Sequence, residues 1–184
     1  MSGTVDSYWD FIEPYCDVFE IHDGPEGFDS SIRGAPRTAV LLYAAHFCQS
    51  EVHNGGFLQF FWNNTGVLAP EAIEGYEAIG MPTLASLVME AASLLGSSYP
   101  RDRDDRWDAM LAASGYTQLQ LEQIFGKYKD EPDSTKGLYR AFVEVAKCLP
   151  FDKLDRRFWQ AVKTENGGFE EAATRYARCM GTIQ

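Results

Sequence analysis

Apolar side chains recur at three- and four-residue spacings along nearly the whole chain, the period of a helix that buries one face. In the first such stretch, residues 7–20, Tyr8, Phe11, Ile12, Tyr15 and Phe19 fall on one side. Pro14 lies inside it and removes a backbone donor, so the spacing predicts a kink there or the start of a second helix. His22-Asp23-Gly24-Pro25-Glu26-Gly27 reads as a turn or loop. Proline one step inside a start and glycine just past an end then mark further helices at 36–53, 57–62, 70–79, 82–95, 101–113, 117–128, 134–148, 153–163 and 168–180. No run has the character of a strand. The expected fold is all-α, a single-domain orthogonal bundle of about nine to ten helices over residues 1–184, with loops too short for a second domain.

One segment departs from plain helical patterning. Asn54-Gly55-Gly56 ends the helix that begins near Pro36 and lets the backbone take positive φ. Phe57, Phe60 and Phe61 then follow at i, i+3 and i+4 as an aromatic wedge for the core. Glu51, Asn54, Gln59 and Asn63 are placed to satisfy the backbone groups freed by the break. His46, Glu51 and His53 offer a competing reading as a small metal or hydrolase site, since the two histidines share a helix face. Their spacing matches no metalloenzyme motif, and polar caps on a helix end are commoner. The string recurs as Asn166-Gly167-Gly168-Phe169 with unrelated flanks, which points to a second helix break and not a duplication. No phosphate-binding loop, nucleophile elbow or Cys–His signature is present, so no cofactor, metal or catalytic residue is expected.

Charge changes the picture more than composition does. At 45% hydrophobic, 23% charged and 14% aromatic residues, the chain is globular, with a core rich in Phe, Tyr and Trp. The net charge is -11, and residues 1–100 carry all of it: 13 Asp and Glu against Arg33 and Arg37 alone. Residues 101–184 hold 14 acidic and 14 basic side chains. Such a surface repels nucleic acid and anionic membranes and attracts basic partners. Cys16, Cys48, Cys148 and Cys179 form no CxxC pair and read as reduced, buried small hydrophobes. With no secretion signal at the N-terminus and no apolar run long enough to span a bilayer, a cytoplasmic location is expected.

The acidic residues are ordered. Asp6, Asp10, Glu13, Asp17 and Glu20 are spaced by four, three, four and three, which on a helix puts five carboxylates on one side, opposite Tyr8, Phe11, Tyr15 and Phe19. Asp23, Glu26 and Asp29 extend the run with no basic residue between them. Successive charges would lie about 5 Å apart, comparable with the roughly 3.4 Å between phosphates along one DNA strand. An ordinary solvated face accounts for such a pattern too, but usually mixes in lysine, because like charges at helical spacing repel. Glu71, Glu74 and Glu77 repeat the pattern on the helix that starts near Pro70. By contrast, Arg101/Asp105 and Asp102/Arg106 fall at i, i+4 and read as a self-neutralised, solvated helix start.

The string Gln49-Ser50-Glu51-Val52-His53-Asn54-Gly55-Gly56-Phe57-Leu58-Gln59-Phe60-Phe61-Trp62-Asn63, followed by Thr65-Gly66, Ala69-Pro70-Glu71-Ala72 and Ala78-Ile79-Gly80, resembles the bacterial DNA-mimic protein 19 family. The likeness runs most clearly from about residue 8 through residue 100. Leu154-Asp155-Arg156-Arg157-Phe158 resembles the family's closing LDxxF element. The resemblance implies an all-helical fold over 1–184, frequent dimers, and, from the member that names the family, an acidic surface that imitates DNA and occupies a helix-turn-helix regulator. The matching residues read as core and turn. The expected binding residues, Asp6, Asp10, Glu13, Asp17, Glu20, Glu71, Glu74 and Glu77, come from the charge pattern instead, and the expected partner is a basic DNA-binding protein.

Overall fold

Helix starts follow the residues placed at them. Ser7 and Asp10 cap the first helix reciprocally, Thr117 and Gln120 do the same for the seventh, and Asp102 and Asp133 accept from first-turn N–H groups of the sixth and eighth. Pro25, Pro70 and Pro82 occupy first turns, where the missing donor costs nothing. The computed structural model describes residues 7–181, and among them are ten α-helices, three short 3-10 turns and no strand. The helices are α1 Tyr8–Ile12, α2 Gly24–Ser31, α3 Arg37–Trp62, α4 Ala69–Ala78 and α5 Pro82–Ser93, then α6 Arg103–Ala113, α7 Gln118–Gly126, α8 Ser134–Ala146, α9 Phe151–Thr164 and α10 Phe169–Gly181. The all-α expectation holds.

The break expected at Pro14 is present: α1 ends at Ile12, and a 3-10 turn carrying Pro14 spans Glu13–Tyr15. Beyond Tyr15 the expected helix is corrected to turns. The apolar side still buries. Phe19 stacks on Tyr15 at 5.2 Å and meets the Tyr43 ring edge-on at 5.0 Å. The segment expected as a loop starts α2 instead, because Pro25 in the first turn is already set at a helical φ and Phe28 can bury completely.

The centre of the molecule is α3, which is buried on every side from Thr38 to Ala45 and packs against α4, α9, α1 and α6. A continuous core runs from Tyr8 to Ala177, and a satellite cluster of Ile124, Ala141 and Val145 lies under α7 and α8. Of the cysteines, all free, only Cys48 is fully buried, which pushes its thiol up to about 12; Cys148 and Cys179 are exposed. The expectation of four buried thiols is therefore corrected.

The end of α3 is held by α6. Arg106 is fully buried and donates from Nε to the Phe61 carbonyl at 2.9 Å, from Nη2 to the Asn63 carbonyl at 2.9 Å, and from Nη1 to the Arg101 carbonyl. Trp107 donates its indole N–H to the Trp62 carbonyl at 3.1 Å and stacks on the Trp62 ring at 4.2 Å. Three successive carbonyls at a helix end thus find donors on one neighbouring helix. Burial lowers the Arg106 pKa. The solvated, self-paired reading of residues 101–106 is corrected: Arg101 binds Asp29 and Glu71, not Asp105.

Candidate functional site

The break inside α3 is closed by a helix far along the chain. Gly55 and Gly56 leave helical φ and ψ, with Gly56 at φ 74°. The Phe57 N–H, freed from intrahelical bonding, donates to Asp155 Oδ1 on α9 at 2.8 Å. A Cβ on Gly56 would stand 2.2 Å from Asp155 Oδ2, so the position excludes other residues twice over. The Phe158 ring meets Phe57 edge-on at 5.4 Å, and Trp159 donates its indole N–H to the Val52 carbonyl at 2.9 Å. Burial raises the Asp155 pKa to about 6, against the opposing pull of the Phe57 N–H.

The polar side chains around the break do something other than expected. Glu51 Oε2 accepts from Gln59 Nε2 at 2.7 Å and from Asn63 Nδ2 at 3.0 Å, so these three satisfy one another. The backbone groups go to Asp155 and Trp159, while Asn54 is exposed. Phe57, Phe60 and Phe61 are buried as the wedge requires.

His46, Glu51 and His53 are not brought together. His46 Nδ1 bonds the Tyr8 hydroxyl at 2.9 Å inside a ring of Trp9 and Phe47, and burial lowers its pKa. Burial likewise pushes the Tyr8 hydroxyl up to about 12. Glu51 belongs to the amide cluster and His53 is exposed. Among the described residues no group of three His, Cys, Asp or Glu is arranged to hold a metal.

The acidic residues separate into two kinds. Asp6 lies outside the described residues. Asp10, Glu13, Asp17 and Glu20 are exposed, as are Asp23 and Glu26. None of these six has an Arg or Lys partner among the described ion pairs. The α4 set is different. Glu71 is 7% exposed and accepts from Arg101 Nη2 at 3.1 Å, and its pKa is raised because burial outweighs that guanidinium. Glu74 pairs with Arg37, and Glu77 is exposed. The reading of α4 as an unneutralised stripe is therefore corrected: Arg37 and Arg101, distant in sequence, reach two of its three carboxylates.

What these features define is an all-helical protein with exposed N-terminal carboxylates that have no Arg or Lys ion-pair partner among the described residues, and a broken central helix locked by its C-terminal part. Residues 34–180 match the family model described as DMP19-like protein, and the chain belongs to that family. No curated protein and no solved structure matches the chain. The matched span holds the break, Arg106 and the Asp155 clamp, and thus reaches well beyond residue 100. The unpaired carboxylates from Asp10 to Glu26 precede it.

Proposed function

We propose that this protein is an acidic, DNA-mimic-like interaction module that binds a basic DNA-binding protein, such as a helix-turn-helix regulator, in competition with DNA. The observation that carries this reading is the run Asp10, Glu13, Asp17, Glu20, Asp23 and Glu26, six exposed carboxylates without a cationic partner among the described residues. Uncompensated like charge on a surface costs stability through self-repulsion and serves long-range attraction of a basic groove. Membership of the DMP19-like family supports the same reading. Exposed Val18, at 50%, and Trp9, at 37%, add apolar contacts between the carboxylates. Glu71 takes no part, being spent on Arg101, and Glu77 is a peripheral contributor.

The test is capture from a lysate by the immobilised protein at low and high salt. Nucleic-acid-binding proteins are retained at about 50 mM salt and released at several hundred mM, where the Debye length falls to a few Å, and added duplex DNA displaces them. Retention of no nucleic-acid-binding protein at either salt sinks the reading.

A further inference from the structure

In a protein of net charge -11, the outer side of α8 is cationic. Lys136, Arg140, Val143 and Lys147 follow one another at spacings of four, three and four, one stripe of a helix whose opposite side buries Ala141, Phe142 and Val145. Beside the stripe is a groove of about 530 Å³ whose apolar wall is Tyr128, Tyr139 and Val143. Two of the carboxylates nearby are paired with cations. Glu144 is held by Lys127 and by the Tyr128 hydroxyl at 2.9 Å, and Glu131 is held by Arg140 at 2.8 Å. Lys136 and Lys147 have no carboxylate within ion-pair distance among the described residues.

We propose that this groove is a docking site for a short acidic segment of another protein, with carboxylates at its two ends and an apolar side chain between them. The dimensions set the ligand. Eleven residues of helix separate Lys136 from Lys147, about 16 Å. An extended strand covers that span in about five to six residues at roughly 3.3 Å each. Val143 and Tyr139 lie between the two ammonium groups and give the central side chain an apolar floor. The molecule then presents two surfaces of opposite preference: carboxylates that take a basic partner, and a groove that takes an acidic one.

Fluorescence anisotropy with a fluorescein-labelled hexapeptide, Glu-Glu-Leu-Leu-Glu-Glu, tests this on the full chain. The labelled peptide binds the protein, binding falls about tenfold for Lys136→Glu/Lys147→Glu, and the milder Lys136→Gln/Lys147→Gln pair moves it in the same direction. A peptide with Gln for every Glu fails to bind. Both positions are exposed, and circular dichroism of both variants matches that of the parent. No binding, equal binding by the charge-reversed variant, or equal binding of the neutral peptide overturns the proposal. So does concentration-dependent self-association that the same substitutions abolish, since the groove would then serve a second copy of the chain.

Discussion

Asp155 lends its carboxylate to the Phe57 N–H at 2.8 Å, a bond between residues 98 positions apart. It makes the start of the second half of α3 conditional on α9. The bond also fixes a pH dependence whose sign follows from burial. Asp155 holds its proton to about pH 6 in the folded protein, against an ordinary value of 3.8. A carboxyl with a raised folded pKa contributes stability that is fully present below the unfolded pKa and is lost as pH rises through the folded one.

From this group alone, stability falls by about 1–2 kcal/mol between pH 4 and pH 8. Asp155→Asn keeps an oxygen acceptor for Phe57 and removes the charge, so the variant's urea midpoint varies less over that range than the parent's. At pH 8 its midpoint is equal or higher. Denaturation curves at four pH values decide it, and a variant that tracks the parent's profile would refute the assignment.

Gly56 and Gly34 both hold positive φ, at 74° and 84°, but only Gly56 has a neighbour where a Cβ would go. Gly34→Ala therefore costs about 1 kcal/mol of backbone strain. Gly56→Ala adds displacement of the Asp155 carboxylate and costs about 3 kcal/mol or more. Thermal melts of the two variants measure the difference, which is the energetic weight of the clamp.

Arg106 carries three backbone carbonyls with no carboxylate partner. Arg106→Met leaves those acceptors buried and bare, a loss of about 3 kcal/mol in chemical denaturation. Arg106→Lys recovers little of it, because one ammonium cannot reproduce the planar fork that spans three acceptors. Full recovery by lysine would mean that charge, not geometry, matters at this position.

Partner capture separates the two kinds of carboxylate. Glu13→Gln/Asp17→Asn/Glu20→Gln removes three exposed charges and weakens binding of a basic partner about tenfold or more at low salt. Glu71→Gln leaves binding unchanged and changes stability little near neutral pH, because burial already outweighs the Arg101 pair there. The salt dependence of binding flattens only in the first variant.

Helix identity was legible from residues 36 to 180 because the 3.6-residue period and the Pro/Gly punctuation are local signals. The break at Gly55-Gly56 was legible for the same reason. Failures lie where a partner is distant: nothing near Glu71 announces Arg101, nothing near Asn63 announces Arg106, and Asp155 looks like any polar residue on an amphipathic helix. Residues 7–20 show a different limit. The break at Pro14 was legible, but the helical period continued to Glu20 where the chain makes turns, so the expected line of carboxylates is carried by a short helix followed by turns. Charge was readable there, and its arrangement in space was not.

The clamp at the break also sets a schedule for biosynthesis. At about 5–20 residues per second, the ribosome needs roughly 5–20 s to travel from Phe57 to Asp155. During that interval the aromatic wedge of α3 has neither its cap nor the Phe158 ring. A nascent chain arrested before α9, about four-fifths of the sequence, therefore leaves the Phe57 ring and N–H without the α9 side chains that cover them.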